Sequence, residues 1–401
     1  MTPMPNPAKT LVVLSETLPL GGTATFVMNL CRGMSRREDW DCVGAGLRGL
    51  NEIGTQIRKE GLPILAPDPS TVLHEERIED LYRQCAPLQP RAVAAGLGSG
   101  AFDFLRYVPA GCLRIGMIQS DDECVYDLVE DYLPWIDIVA GVSTEICRKM
   151  QVRLGKRTTP VVVAQAYGVP MPESPRTVSA GGPLKVLFLG RVIEAQKRVG
   201  LMARVMKRTL AEVPEIRWTI AGDGPELGAM KADFAAEAGR VRFLGNVPYS
   251  QVPAILPEHD VYFLCSDYEG LPLSLLESMG AGLVPVVSDL PSGISEVVND
   301  GNGFRVAVDD EAGYAAAVIR LAREPELRAA MSVRAREEVR ESHSTAAMAH
   351  RWVEMLEAHL PDRPPVWGET CCATAPMELQ GDWRFAPSLR PIRRLLKRMR
   401  S

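Results

Sequence analysis

Short apolar runs alternate with longer amphipathic stretches along almost the whole chain. The first half has such runs at Thr10–Leu14, Arg91–Ala95, Leu113–Ile118, Ile136–Ala140 and Pro160–Ala164, most of them rich in Val, Ile, Leu or Phe. The second half repeats the pattern at Lys185–Leu189, Arg217–Ala221, Val241–Leu244, Val261–Leu264 and Val284–Val287. Runs that are continuously apolar rather than alternating predict strands buried on both faces. Helical periodicity between them, as at Ala24–Met34, Val199–Leu210 and Glu226–Ala238, predicts parallel sheets with helices on both sides. From Glu311 the pattern is helical again and is expected to pack on the second domain.

The break in this rhythm is Tyr167–Pro183, YGVPMPESPRTVSAGGP, which holds four prolines and no apolar period. It divides the 401 residues into two domains of ordinary size, 1–175 and 183–360, with a tail over 361–401. At 46% hydrophobic and 24% charged, the chain has material for two cores. A net charge of −5 argues against a nucleic-acid-binding body, which needs a basic surface. No apolar stretch is long enough to span a membrane, and the opening MTPMPNPAKTLVVLSE has too short an apolar core for a signal peptide. The nine cysteines are scattered without a C-x-x-C, so neither a disulfide framework nor a zinc site is expected. These features together predict a cytoplasmic protein without a metal.

The densest chemistry lies in the second half. In VYFLCSDYEGLPLSLLESMGAG, a buried strand enters a loop at Ser266–Gly270, and a helix opens near Pro272. Backbone N–H groups around Gly270 and Leu271 at a helix entrance suit a phosphate. Glu277 leans back towards the same mouth as Glu269, so the two acids could accept hydrogen bonds from different hydroxyls. Upstream, VLFLGRVIEAQKR places Arg191 and Lys197 in a first strand–helix connection, where they could converge on a diphosphate. Then follow WTIAGDGPELGAM, with a tight turn at Gly222 and Gly224, VRFLGNVP, ending at Gly245-Asn246-Val247, and GLVPVVSDLPSGISEVV, with a helix start at Ser292-Gly293.

This ordered series resembles the nucleotide-binding domain of GT-B glycosyltransferases, in particular retaining glycosyltransferase family 4. The resemblance is strong over Leu184–Val306 and weaker over the whole chain, through TLVVLSETLPLGGTATFVMNLCRGM. It implies two facing Rossmann-like doubly wound domains with a cleft between them, the first on the acceptor side. It implies that Arg191 and Lys197 bind the diphosphate of a UDP- or GDP-type sugar, with no other cofactor. Glu269 with the Gly270-Leu271 backbone would meet the donor sugar and phosphate, Glu277 the ribose, and Gly245–Val247 the base. The acceptor would be a carbohydrate, a lipid-linked glycan or a small molecule.

In the first half, Gly21-Gly22 ends a strand-to-helix loop with Thr23 as the expected N-cap, and the resemblance makes it a phosphate- or acceptor-facing loop. LRIGMIQSDDECVYDLV places Gln119 where family members often carry a histidine, with Asp121 close behind. Gln119 can exchange hydrogen bonds with a sugar hydroxyl but cannot transfer a proton. His74, in HEERIEDLYR, reads as solvated surface. Ser120–Glu123 could also be an acidic metal loop, redundant where two cations already neutralise a diphosphate. Gly96–Ala101 fits a dinucleotide fingerprint with Asp121 and Asp122 about 20 residues on, which keeps an NAD-dependent oxidoreductase as a rival. A non-catalytic sugar-nucleotide-binding partner and a sugar-nucleotide 2-epimerase compete with it as well.

The tail alters the meaning of the net charge. Arg384–Ser401 carries seven basic residues and no acidic one, leaving 38 basic against 50 acidic elsewhere, a body of −12 and a tail of +7. PIRRLLKRMRS puts Ile392, Leu395, Leu396 and Met399 on one helical face. A basic amphipathic end suits anionic lipid at the inner face of a membrane, and a helix docked by its apolar face is the plainer reading. In GT-B enzymes the chain end commonly crosses back onto the first domain, as Gly381–Ser401 could do.

Overall fold

The computed structural model describes residues 9–18, 21–96, 98–173, 182–377 and 389–398. The chain forms two compact units, one of residues 1–165 and 348–401, the other of residues 166–347.

The first unit holds a parallel sheet of β1 (Lys9–Ser15), β2 (Trp40–Gly46), β3 (Ile64–Leu65), β4 (Ala92–Gly96), β5 (Leu113–Ile118), β6 (Ile138–Gly141) and β7 (Val161–Ala164). Their order is β3-β2-β1-β4-β5-β6-β7. The second holds β8 (Lys185–Leu189), β9 (Arg217–Ala221), β10 (Val241–Gly245), β11 (Val261–Leu264), β12 (Val284–Ser288) and β13 (Phe304–Val306), ordered β10-β9-β8-β11-β12-β13. Each sheet is doubly wound, with the winding direction reversing once, between β1 and β4 and between β8 and β11. Ligands of such sheets settle at the carboxyl ends of the strands at that reversal.

Three strands escape the sequence pattern. β2 reads WDCVGAG, and Gly44, Ala45 and Gly46 give it little intrinsic preference for a strand; its seven-residue register with β1 imposes the conformation. β3 and β13 span two and three residues, below what an apolar run can signal. Glu226–Ala238 is not one helix: α-helix stops at Asp233 and a 3₁₀ turn follows over 235–237. Thr23 is not a cap, because the helix Gly22–Met34 already includes it and Gly21 takes the N-cap position.

The unit boundaries also differ from the expected 175/183 and 360/361. Residues 167–173 are tied to the second unit: the Val169 N–H donates to the His343 carbonyl (2.8 Å), and Arg336 donates to the Pro172 carbonyl (2.8 Å). Most of the helix Thr345–His359 belongs to the first unit. Trp352 packs on Phe26 at 5.9 Å between ring centroids, and Glu357 accepts from Lys9 and from the Trp40 indole, both at 2.6 Å. In the second unit, Trp218, Phe263 and Tyr314 form a continuous aromatic core.

Candidate functional site

In the second unit, β8 ends at Leu189 and the chain turns through Gly190 and Arg191 into the short helix Glu194–Lys197. Arg198 then takes a left-handed conformation, φ +46°, so that the helix Val199–Glu212 can start in a new direction. Across the reversal point, the loop after β11 carries Asp267 to Leu271. The Lys197 ammonium is paired with the Glu269 carboxylate, and the two residues are only 9% and 7% exposed. Burial of both charges makes each dependent on the other.

Arg191 is exposed but tethered to this pair. Its guanidinium donates to the Gln196 side-chain carbonyl (2.8 Å), and the Gln196 amide donates to the Tyr268 carbonyl (3.3 Å). The Gln196 backbone carbonyl accepts from the Asp267 N–H (2.9 Å), which locks the two loops together. Gln196 is a positioning residue that no motif points to: an uncharged side chain between two charged candidates carries no sequence signal of its own.

Helix Leu273–Gly280 follows with Pro272 as its N-cap. Beneath its entrance, the Gly293 N–H donates to the Gly270 carbonyl (2.8 Å), and a Cβ on Gly293 would lie 2.7 Å from Leu271 Cβ. The bare glycine therefore lets the loop containing Ser292 support the Glu269–Leu271 segment from below. Glu277 is half-buried in the second turn. Burial, reinforced by the nearby carboxylates of Glu269 and Glu277, pushes the Tyr262 phenol pKa far up, so it stays a neutral donor and acceptor beside Ser274 (2.7 Å).

Gly222 and Gly224 turn out to face protein. A Cβ on either would collide with a backbone carbonyl, that of Gly190 or that of Val192. Hydrogen bonds from Val192 N to Asp223 O (2.9 Å) and from Gly222 N to Gly245 O (2.8 Å) close the ends of β8, β9 and β10 on one another. These glycines set the loop that aims Arg191. Gly245 has φ +68° with open space around it, Asn246 is exposed and Val247 buried.

Residues 183–324 match the family model described as glycosyl transferases group 1. The chain is 35% identical over 158 residues to a phosphatidyl-myo-inositol mannosyltransferase of Mycolicibacterium smegmatis, covering 38% of this chain and 40% of that protein. It is 32% identical over 194 residues to the O-antigen biosynthesis glycosyltransferase WbnH of Escherichia coli, covering 47% and 53%. Over that stretch the chain is similar to the glycosyl transferases group 1 family. The aligned stretches span only about half of these relatives' length. The fold matches the structure of Anabaena HepE in complex with UDP-glucose at a TM-score of 0.68 and 14% identity, over 87% of this chain and 100% of that one. It also matches the pneumococcal O-GlcNAc transferase GtfA in complex with UDP and GlcNAc, at 0.67 and 13%, over 88% and 99%. Both domains thus have the Rossmann-like form of GT-B glycosyltransferases.

The group 1 family domain covers only the second unit, so the first is read from its own geometry. Gln119, just past β5, is 8% exposed, and among the described residues neither atom of its side-chain amide has a hydrogen-bond partner. The Ser15 hydroxyl at the end of β1 is likewise buried and unpartnered. Gly96 faces Gln119, whose amide oxygen would be 2.9 Å from a Cβ there. Two buried polar groups without partners cost free energy that a ligand hydroxyl would recover. Gly21 and Gly22 are exposed at the start of their helix, with open space around Gly21.

Asp121 is committed internally, accepting from Tyr126 (2.8 Å) and from Lys149 (2.6 Å), while Asp122 caps the helix Glu123–Asp131. Among the described residues, no group of three His, Cys, Asp or Glu side chains is placed to hold a metal. The dinucleotide reading of Gly96–Ala101 fails on charge. The Glu16 carboxylate lies against Gly98 and Gly100, where a pyrophosphate would have to sit, and the helix that follows has six residues. His74 is not solvated surface: its Nε2 bonds to Asp103 (2.8 Å), whose other oxygen accepts from Arg106 (2.6 Å).

Proposed function

We propose that the protein is a glycosyltransferase that moves a hexose from a UDP- or GDP-type sugar to an acceptor hydroxyl on a glycan, glycolipid or small molecule, with retention at the anomeric carbon. The observation that carries this reading is the buried Lys197–Glu269 pair at the β8/β11 reversal, with Arg191 tethered to it through Gln196. In this reading Arg191 and Lys197 take the charge that builds on the departing diphosphate, and the Gly270-Leu271 backbone at the helix entrance adds to it. Glu269, released from Lys197 as the phosphate arrives, accepts from hydroxyls of the donor sugar. Glu277 accepts from the ribose, and Gly245–Val247 border the base.

Retention would proceed on one face of the sugar, with a donor phosphate oxygen receiving the acceptor's proton, because Gln119 cannot. The Gln119 amide would instead bind a sugar hydroxyl. We place the reaction on the cytoplasmic side, with no metal and no cofactor beyond the sugar nucleotide. No helix among the described residues is long and apolar enough to cross a membrane.

A panel of UDP-, GDP- and ADP-sugars, assayed for binding and slow hydrolysis, tests the donor assignment. Lys197→Ala and Glu269→Ala should each abolish turnover. Donor interconversion without acceptor would replace the reading with an epimerase, and binding without any turnover would replace it with a sensor. Product of inverted configuration, read by NMR, would overturn retention.

A further inference from the structure

The basic tail spends most of its charge inward. Helix Arg390–Arg398 runs antiparallel to helix His74–Cys85, held by Arg390 on Glu79 (2.6 Å), Arg393 on Glu75 (2.5 Å) and Arg394 on Glu76. Glu75 and Glu76 are 2% and 4% exposed, which such carboxylates tolerate only when paired. Arg384, Met399 and Arg400 lie outside the described residues. Ile392 and Leu396 face away from the pairs and are exposed, so the helix is not docked by its apolar face.

Lys397 stands on the same face as Arg393 and Arg394, one turn further on, beyond the last glutamate, and among the described residues no ion pair holds it. The antiparallel register brings it to the N-terminal end of helix His74–Cys85. Arg77 folds back there, its Nε donating to the Thr71 carbonyl (3.3 Å). Arg48, just after β2, arrives from the sheet and leans on Glu16, itself just after β1, at 2.6 Å; its side chain is 59% exposed. The charges do not balance. Arg48, Arg390, Arg393 and Arg394 pair one to one with Glu16, Glu79, Glu75 and Glu76, and among the described residues no ion pair holds Arg77 or Lys397. Burial and then the fields of Arg77 and Arg48 pull the Lys397 pKa down, and burial and Arg48 do the same to Arg77. Cations crowd together at the carboxyl ends of the strands, beside the β1/β4 reversal, and a dianion or monoanion among them would relieve their repulsion.

We propose that Arg48, Arg77 and Lys397 form a phosphate-binding site on the first unit, for a phosphate mono- or diester carried by the acceptor, with the C-terminal helix supplying the third cation. The inference deepens the glycosyltransferase reading and rests on it, since it names the class of acceptor. The phosphate can belong to a water-soluble ester or to a lipid head group, and Lys397, Arg77 and Arg48 would grip either in the same way.

The test uses the full chain saturated with UDP, so that phosphate sites of the second unit are filled. Calorimetry with glycerol 1-phosphate and co-sedimentation with phosphatidylglycerol against phosphatidylcholine vesicles supply the two arms. Binding in either arm should weaken about tenfold on Lys397→Ala and again on Arg77→Ala, as loss of a charge-assisted contact does. Arg242→Ala, a surface cation of the second unit, should change nothing. Binding of the soluble ester assigns a soluble acceptor, and binding of anionic vesicles alone assigns a head group; either supports the site if the variants weaken it. No binding in either arm, or binding indifferent to both variants, overturns it. Lys397 makes none of the three docking pairs, so trypsin protection of the 390–398 helix in Lys397→Ala separates a lost contact from a lost helix. Loss of donor-sugar binding in the unaltered chain would count against the glycosyltransferase reading and leave this site standing.

Discussion

Lys197 and Glu269 are visible in the sequence as charged residues in suggestive places, but their meaning depends on being buried together. Removing the carboxylate strands an ammonium in a poorly solvated site. Glu269→Ala should therefore cost about 3 kcal/mol in urea denaturation, besides abolishing turnover. The double variant Lys197→Met/Glu269→Leu should recover most of that stability and none of the turnover, because an apolar pair of similar volume needs no desolvation. Glycines separate in the same way. Gly222→Ala forces a Cβ into the Gly190 carbonyl at φ +147° and should cost about 3 kcal/mol or more, whereas Gly245→Ala, at φ +68° in open space, should cost about 1 kcal/mol. Measured equal losses at the two positions would contradict this account of the GDGP turn. Sequence alone shows glycine turns of similar appearance; only packing tells which faces a neighbouring strand end and which faces solvent.

At the scale of elements, the helical pattern after Glu311 is legible in the sequence, but its partner is not. Helix Thr345–His359 has apolar residues that would suit either unit, and the choice is made by Trp352 against Phe26 and by Glu357 against Lys9 and Trp40. Trp352→Ala should destabilise the first unit by about 3–5 kcal/mol while leaving donor binding by the second intact, a split that calorimetric unfolding with and without UDP can read. The helix 390–398 depends on charge instead. Its three ion pairs are screened by salt, so 1 M NaCl or Glu79→Lys should release it to trypsin at a concentration that leaves both sheets folded. Acidic residues of HEERIEDLYR look like a solvated face because nothing local reveals that a basic helix more than 300 residues on will cover them.

The whole molecule should loosen in acid in two stages. His259 is buried, with one ring nitrogen on the Ile255 carbonyl (2.9 Å) and the other on the Thr219 hydroxyl (2.8 Å), the pattern of a neutral imidazole. Burial holds its pKa below the ordinary 6.5, only partly offset by the Ile255 bond. The unfolded chain then takes up the proton first, so this stability is full above pH 6.5 and is lost as pH falls below it. In the first unit burial opposes ionisation of Glu357, but hydrogen bonds from Lys9 and Trp40 outweigh it and lower its pKa from 4.5. That contribution persists until the pH falls below about 4.5. Hydrogen exchange across a pH series should show the second unit opening before the first, and His259→Gln should remove the earlier step.

Legible in the chain itself are the two doubly wound sheets, the order of most of their strands along the chain and Arg191, Lys197, Glu269 and Glu277 as candidate site residues. Those features are written in local periodicity and short motifs, which need no distant partner to be read. Only the tertiary structure decided that β2 is a strand, that Gln196 ties Arg191 to the loop after β11, that Gly222 and Gly224 face backbone, and that the tail pairs with the first unit. Each of these is set by contact between segments far apart in the chain. In the case of the tail, the net charge of −5 hid two opposite surfaces that pair with one another, and among the described residues of that patch Lys397 and Arg77 are left without an ion pair.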